Sequence, residues 1–433
     1  MFPSSARAWD AATTHAGLTE GAALASRLGR VLVDAYGRPL GLWEPLTLAF
    51  VGDDDRGARI LSRLAKLDPA GYAPDRGRLP ALGWLVAGSI AEEIPPGRDR
   101  NHFFDPSTGR GLDQGGFLDG MDVRVAGALD GSGSLRGVFT GASFDGTGRA
   151  STEWLTADDN DFALARFLDA RERATAGATP EEREHALAEA LLDAGALLHV
   201  VEDAADPAHA RGDFRVAMLE RGGRLRRFTA ERYGRVAVPP PAGAAEPLEH
   251  LADAIHNRLG TGLADRAARS LFSDGTLPGP SAPPSPRVEP GIGAGGYVAG
   301  PGVPHLARWR RAGDDVRWDL DEKCLADYAA AQLPLAGQGA LSALAHLFRG
   351  GLTVEGGAIR NGDVALRSGR LRIFSEDGAG RRSVILDRAL GLVEAGDSLA
   401  DLPPVVGARF AAVVRGVDSH GEPIVLAGQW PQQ

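Results

Sequence analysis

The stretch His199-Val-Val-Glu-Asp203-Ala-Ala-Asp-Pro207-Ala-His209 is the part of this sequence that decides its fold. It closes an apolar run that begins at Ala186, and the three- and four-residue spacing of that run predicts a helix ending near Asp203. His199 and Asp203 are four residues apart, so both side chains leave the same face of the helix. Pro207 kinks or ends the helix, and His209 follows where the chain can turn back toward that face.

These three side chains are candidate metal ligands. A histidine and an aspartate at this helical spacing, taken alone, are more often a solvated pair than a metal site. A third candidate just past a proline turn strengthens the metal interpretation, because imidazole nitrogens and carboxylate oxygens are ligands that suit Zn²⁺. A helix that supplies two ligands at a fixed distance also holds the site in shape before the metal binds.

Composition restricts the chemistry further. The chain has 433 residues, 43% of them hydrophobic, and a formal net charge of −10. An acidic balance disfavours binding to a polyanion, so we expect no nucleic-acid partner. A single cysteine, Cys324, excludes an internal disulfide and a cysteine-rich zinc finger, so a metal site must use His, Asp and Glu. No apolar run approaches the roughly 20 residues of a membrane-spanning helix.

The pattern along the chain predicts two domains, a larger mainly α domain over residues 9–350 and a small antiparallel β-sandwich over residues 351–433. The clearest helix start is Thr179-Pro180-Glu181-Glu182, a capping box with proline at the first helical position. After Gly350-Gly351 the pattern changes to short alternating runs typical of strands, over residues 371–374, 383–386 and 410–415.

Proline residues affect the prediction for two segments inside the larger domain. The Pro/Gly-rich residues 275–304 predict a long surface loop without a regular element. Residues 319–349 return to helical spacing, and Pro334 predicts a division into two helical pieces.

The N-terminus contains Ala6-Arg7-Ala8 directly before Trp9, which is the small-residue pattern that signal peptidase reads. On this pattern residues 1–8 are the remnant of a signal peptide, the mature chain begins at Trp9, and the protein is secreted or periplasmic. The alternative interpretation is an ordinary disordered N-terminus.

Three motifs in order resemble those of the bacterial zinc-dependent phospholipase C family. That family carries a helix of the form His-x-x-x-Asp-x-x-x-Pro-x-His, which this chain matches at His199, Asp203, Pro207 and His209. The family's mature chain begins with Trp and soon has a His, as in Trp9-Asp-Ala-Ala-Thr-Thr-His15. An acidic residue followed by His-Phe-x-Asp-Pro has its counterpart in Glu93 and Asn101-His102-Phe-Phe-Asp105-Pro106. The resemblance covers about residues 9–350.

The resemblance implies two zinc ions and leaves a third in question. One zinc would be held by Glu93, His102, His199 and Asp203. The second would be held by the amino group and carbonyl of Trp9, by His15 and by a bridging Asp203. Glu93 would also act as general base, although the family usually has Asp there and Glu92 is an equally good candidate.

The third zinc of the family uses the histidine after the proline turn, here His209, and a later His-x-x-x-Glu. Residues 210–236 contain no such pair. The open substitutes are Asp213, Glu220, Glu231, His250 and His256. Asp206 and Asp105 could orient metal-bound histidines, but Asp105 directly precedes Pro106 and is more simply a turn residue.

The implied activity is hydrolysis of a phosphoric ester, most simply removal of a phospholipid head group in the manner of a phospholipase C, by a monomer. Two alternatives remain open at this stage. One is a nuclease-like zinc phosphodiesterase acting on single strands, and the other is a degenerate member that binds metal or lipid without turnover. The β-rich tail either makes peripheral contact with a membrane or serves stability or secretion.

Overall fold

The structure is a computed structural model that describes residues 9–48, 78–94, 97–112, 148–213, 223–279, 286–402 and 409–431. A five-residue π-helical turn, Ala11–His15, opens the described chain. The α-helices that follow are α1 Ala16–Ala25, α2 Leu28–Tyr36, α3 Ala81–Ala91, α4 Ser151–Trp154, α5 Leu164–Ala176, α6 Pro180–Asp203, α7 Pro207–Ala210, α8 Gly223–Tyr233, α9 Leu263–Ser270 and α10 Glu322–Leu347.

The strands form small antiparallel sheets. In chain order they are β1 Pro45–Thr47, β2 Arg78–Pro80, β3 Gly295–Gly300, β4 Val303–Ala312, β5 Asp315–Asp319, β6 Leu352–Glu355, β7 Ala358–Asn361, β8 Leu366–Glu376, β9 Arg382–Leu390, β10 Ser398–Asp401, β11 Arg409–Asp418 and β12 Pro423–Pro431. The fold therefore combines helices with antiparallel sheets, and two of these sheets, β1-β2 and β3-β4-β5, lie within the segment predicted to be mainly helical.

Helix α6 is the central element of the fold. It begins at the predicted capping box, in which the Thr179 hydroxyl accepts from the Glu182 backbone at 3.2 Å and the Glu182 carboxylate accepts from the Thr179 backbone at 3.3 Å. It ends at Asp203 as expected, and Pro207 begins the separate short helix α7. Nearly every residue from Ala186 onward is buried, so α6 passes through the core rather than along the surface.

Two glycines set how closely α3 packs on α6. A Cβ at Gly195 would lie 1.8 Å from the Leu85 carbonyl oxygen, and a Cβ at Gly88 would lie 1.9 Å from the Leu192 carbonyl oxygen. Only glycine permits this close contact of two helix backbones. The contact places the last turn of α3, which begins at Ser89, beside the last turns of α6.

Helix α10 corrects the expectation of two helical pieces. It runs without a break from Glu322 to Leu347, with Pro334 in its interior. Proline there removes one backbone donor, but residues on both sides are buried in the core, including Leu333, Ala336 and Leu341. Packing of these apolar side chains outweighs the local cost of the proline, and the helix continues.

The Pro/Gly-rich segment 275–304 is also different from the expectation of an irregular loop. Strand β3 lies inside it and pairs with β4, with Gly296 opposite Trp309. A Cβ at Gly296 would lie 3.4 Å from the Trp309 indole nitrogen, so the glycines of β3 leave room for a buried tryptophan. Residues 280–285 of the segment lie outside the described residues.

The C-terminal strands form two antiparallel sheets in the orders β10-β7-β6 and β12-β11-β8-β9. One face of the four-stranded sheet, with Leu371 and Val414, packs on the other sheet through Ile359. The opposite face, with Phe374 and Val413, belongs to the same apolar cluster as the helices. The inner strand β11 is therefore buried on both faces, whereas the edge strand β9 is largely exposed. No helix in the described part of the chain is both long and apolar enough to cross a bilayer.

Candidate metal centre

Four separate segments bring their polar side chains to one buried point. His15 ends the π-helical turn, which Asp10 caps at its N-terminus, and α1 follows directly. Glu93 lies just past the end of α3, and His102 follows a short 3₁₀ turn. The last two turns of α6 contribute the remaining residues, His199 and Asp203.

Asp203 lies at the middle of this group. Its Oδ2 is 2.6 Å from His102 Nδ1 and 3.3 Å from His199 Nε2, and its Oδ1 is 2.9 Å from His15 Nε2. The rings of His15 and His199 are stacked with their centroids 3.7 Å apart. All four side chains are buried, which is an environment where uncompensated polar groups are costly.

The hydrogen bonds of this cluster are incomplete in a specific way. His15 Nε2, His199 Nε2 and Asp203 Oδ1 are buried and make no hydrogen bond of acceptable geometry among the described residues, although His15 Nε2 and Asp203 Oδ1 lie 2.9 Å apart. His199 Nδ1 is 2.7 Å from the Ser89 carbonyl oxygen, which can only accept, so Nδ1 carries the proton and Nε2 presents a lone pair. His15 Nδ1 lies 2.7 Å from Glu202 Oε2, a contact in which either atom can carry the proton. A bound metal would complete such a set of inward lone pairs.

The distances between candidate ligand atoms fit a metal ion. His15, Glu93 and His199 each offer one ligand atom within 4.8 Å of the others, and so do His102, His199 and Asp203. These groups of nitrogen and carboxylate oxygen could therefore hold a metal, and His199 belongs to both of them.

The structure separates the roles of Glu92 and Glu93. Glu93 is buried and belongs to a group of candidate metal ligands with His15 and His199. Glu92 points elsewhere: its carboxylate accepts from Arg98 Nη2 at 2.8 and 2.7 Å and from Trp154 Nε1 at 3.0 Å. Glu92 Oε1 also lies 3.4 Å from His102 Nε2. Of the two candidates, Glu93 faces the cluster and Glu92 supports it from behind.

Burial and neighbouring charges shift the pKa values of the side chains in this cluster, in part in opposite directions. Burial would raise the pKa of Asp203, but the surrounding histidines lower it well below its usual range. Burial opposes a charge on His102, yet its hydrogen bonds to Asp203 and Glu92 raise its pKa to about 10. Burial lowers the pKa of His15 to about 3, with repulsion from His199 in the same direction. Asp203 is thus an anion that attracts positive charge.

Trp9 lies against the same end of α6. Its indole is fully buried and donates from Nε1 to the Glu202 carbonyl oxygen at 3.1 Å. The expected contribution of a free Trp9 amino group depends on removal of residues 1–8, which lie outside the described residues.

His209 is placed differently. It lies on α7, its Nδ1 is 3.1 Å from Asp206 Oδ2, and its ring stacks on Phe103 with centroids 4.2 Å apart. Its Nε2 has no hydrogen-bond partner among the described residues. Within that same part of the chain, His209 does not belong to any set of three close candidate ligands. Asp206 does support a histidine, as the sequence suggested.

Of the substitutes considered for the third site, Asp213 lies beside α7, where its backbone N–H donates to the Ala208 carbonyl oxygen at 2.8 Å. His256 Nδ1 lies 2.7 Å from Asp265 Oδ1, and the centroid of the His256 ring is 4.9 Å from that of Phe104. His250 lies at a short 3₁₀ turn, with its ring 6.2 Å from that of His420. Glu220 is outside the described residues. Asp105 accepts from the Ser107 backbone at 2.8 Å in an exposed turn, which agrees with the turn interpretation.

Two groups that hold the histidine rings, the Glu202 carboxyl group and the Ser89 carbonyl, were not predicted from the sequence. Glu202 is adjacent to the predicted ligand Asp203, yet it follows His199 by three residues and turns toward His15 and toward the Thr19 hydroxyl at 2.8 Å. Its position on the helix was a usable signal. The Ser89 carbonyl gives no sequence signal, because every residue has one.

Comparison with known proteins adds little. No family model matches the chain, and no curated protein matches its sequence. Among solved structures the chain is similar to the alpha toxin from Clostridium absonum, at 11% identity and a TM-score of 0.36 over 98% of this chain and 99% of that one.

Proposed function

We propose that this protein is a zinc-dependent phosphodiester hydrolase that acts in the manner of a phospholipase C. The observation that carries the proposal is the buried cluster around Asp203, in which the unsatisfied atoms His15 Nε2, His199 Nε2 and Asp203 Oδ1 lie together. Buried polar atoms without partners are rare in folded proteins and call for a specific explanation. A metal ion explains these atoms together.

Zinc is the metal that suits these ligands. Three imidazoles with carboxylates from Asp203 and Glu93 form a nitrogen and oxygen set, and the sole cysteine, Cys324, is buried elsewhere in α10. The ligands would be His15, Glu93, His102, His199 and Asp203. We also assign Trp9 and His209 as ligands of a second and a third ion. A bound Zn²⁺ acts as a Lewis acid that lowers the pKa of water and neutralises charge on phosphoryl oxygens.

The chain's own residues position the ligands. The Ser89 carbonyl holds the Nδ1 proton of His199, and Glu202 Oε2 lies 2.7 Å from His15 Nδ1, so both rings are held with Nε2 facing inward. Glu93 is the carboxylate that we assign as proton acceptor, because it lies on the ligand side of the cluster. Fixed rings and a nearby carboxylate are the arrangement that proton transfer during hydrolysis needs.

The substrate we propose is a phospholipid. Its support is the order of the three sequence motifs, together with a net charge of −10 that disfavours a nucleic-acid substrate. Secretion or export to the periplasm, with the mature chain beginning at Trp9, belongs to the same proposal, as do peripheral contact with a membrane and action as a monomer.

The test combines metal content with a substrate comparison. Purified protein is analysed for zinc, treated with a chelator, and assayed on p-nitrophenyl phosphorylcholine, phosphatidylcholine micelles and single-stranded DNA before and after zinc is restored. We expect at least two zinc ions per chain and chelator-sensitive hydrolysis of both choline esters.

Each other result points to a specific alternative. Hydrolysis of single-stranded DNA without hydrolysis of the choline esters would favour a nuclease. Bound zinc without any phosphodiester hydrolysis would favour a degenerate metal-binding protein, and absence of zinc binding would contradict the proposal entirely.

A further inference from the structure

Behind the metal-binding cluster lies a buried charged group that no metal-ligand role explains. The guanidinium of Arg98 donates from Nη2 to both carboxylate oxygens of Glu92, at 2.8 and 2.7 Å, and to Asn160 Oδ1 at 2.8 Å. Arg98 is 8% exposed and Glu92 is fully buried. Transfer of such an ion pair from water to the protein interior costs free energy. A gain in stability therefore does not by itself account for this pair.

Arg98 also fixes the backbone that carries Glu92. Glu92 is the C-terminal cap residue of α3, and its carbonyl oxygen accepts from Arg98 Nε at 3.0 Å. A cation at the C-terminus of a helix satisfies free carbonyl groups and the negative end of the helix dipole. Arg98 thus holds both the main chain and the side chain of Glu92.

The surroundings leave the arginine little freedom. Its guanidinium carbon lies 5.0 Å from the ring centroid of Trp154 and 5.3 Å from that of Phe162. The Trp154 indole donates to Glu92 Oε1 at 3.0 Å, and Asn160 Nδ2 donates to the Trp154 carbonyl at 2.9 Å. The pair is therefore enclosed by packed aromatic rings and by hydrogen bonds.

This buried group contacts His102, a candidate metal ligand. Glu92 Oε1 is 3.4 Å from His102 Nε2, while His102 Nδ1 faces Asp203. With Nε2 directed to Glu92, Nδ1 is the nitrogen of His102 that can bind metal. For His15 and His199 the inward atom is Nε2 instead.

We propose that Arg98 and Glu92 form a positioning pair that orients His102 with Nδ1 toward the metal, and that Arg98 keeps the Glu92 carboxylate from becoming a ligand itself. This inference rests on the proposed zinc-binding function. Neither residue is a catalytic residue, since the pair acts only through His102. Its contribution is to the shape of the site before zinc arrives.

The experiment measures Zn²⁺ affinity of the full metal-free chain by competition with a chelator, together with the visible absorption spectrum of the Co²⁺-substituted protein. The variants are R98M, which removes the charge, R98K, which restores it without the planar fork, and W154F, which removes one donor to Glu92. The matched control is R171M, because Arg171 is another buried arginine whose hydrogen bonds go to Tyr36 and to the Leu347 carbonyl rather than to Glu92.

We expect R98M to bind Zn²⁺ about 10- to 100-fold more weakly and to change the Co²⁺ spectrum, with partial recovery in R98K. W154F should show a smaller loss in the same direction. R171M should lose thermal stability but keep its Zn²⁺ affinity and spectrum. If R98M does not fold, W154F and R98K decide the question.

Two results would overturn the inference. Wild-type affinity and spectrum in the folded Arg98 and Trp154 variants would remove any role for the pair, and an equal loss in R171M would reduce that role to general stability. If the wild-type chain binds no Zn²⁺, the proposed function itself is wrong. That outcome is distinct from zinc binding that is insensitive to Arg98.

Discussion

The last turn of α6 and the short helix α7 each carry a histidine beside an aspartate, yet they are built very differently. At the α6 end, Asp203 lies within 3.3 Å of three imidazoles from three segments of the chain. At the α7 end, His209 has Asp206 on its own turn and a stacked phenylalanine. The difference teaches that convergence of distant segments, rather than residue type, brings candidate metal ligands together.

The strongest test of this comparison is removal of its central histidine. His199→Ala deletes a candidate ligand that belongs to both ligand groups, so we expect zinc binding at the cluster to be lost and hydrolysis to fall by at least about 10³-fold. The control is His185→Ala on the same helix, whose ring contacts the Thr47 carbonyl at 2.7 Å away from the cluster. Circular dichroism checks that both variants fold. Hydrolysis that survives in folded His199→Ala would place the active site elsewhere.

The neighbouring glutamates should separate metal binding from support. Glu93→Gln removes a carboxylate on the ligand side, and we expect hydrolysis to fall by about 10²- to 10³-fold with little change in stability. Glu92→Gln leaves buried Arg98 without its counter-charge, so we expect a loss of about 3–5 kcal/mol in stability and a drop in hydrolysis of only about 10-fold.

Urea denaturation and steady-state rates measure both effects of this pair. The opposite ranking, with Glu92→Gln the less active variant, would reverse the assignment of the two residues.

The α6 end should also give the metal-free protein a characteristic pH dependence. The pKa of His102 is raised to about 10 in the folded chain, against about 6.5 when unfolded, although burial opposes the shift. The folded state therefore binds more protons at His102 between these values, and the stability that His102 contributes is full below pH 6.5 and is lost as pH rises toward 10. We expect a fall of about 2–3 kcal/mol between pH 7 and 9.

Urea denaturation of metal-free protein at several pH values measures this slope. His102→Ala should flatten it, because the variant lacks the group that takes up the proton. An identical slope in both proteins would mean that another group is responsible.

The smallest effect is expected at the α7 end. His209→Ala should remove at most one zinc ion per chain and reduce hydrolysis by about 10-fold or less, because His209 is separate from the ligands around Asp203. Metal analysis beside the His199→Ala variant gives the contrast directly. A loss as large as that of His199→Ala would show that both ends form one catalytic unit.

Local features of the fold were predictable. The capping box at Thr179, the helix to Asp203 and the β-strands near residues 371–374, 383–386 and 410–415 all appear where their patterns indicated. These features depend on residues close in sequence. Pro334 and the glycines of β3 were misjudged because burial of α10 and of Trp309 overrides the local preference for a break.

The candidate site likewise has features that the sequence predicted and features that only the structure revealed. By itself the sequence predicted a set of candidate metal ligands, and it placed His199 and Asp203 on one face, because helical periodicity fixes that geometry locally. Only the tertiary structure decided that His102, 101 residues before Asp203, contacts it, and that Glu93 rather than Glu92 faces the cluster. The physical reason is the close packing of α3 on α6 at Gly88 and Gly195, which no spacing along the chain reveals.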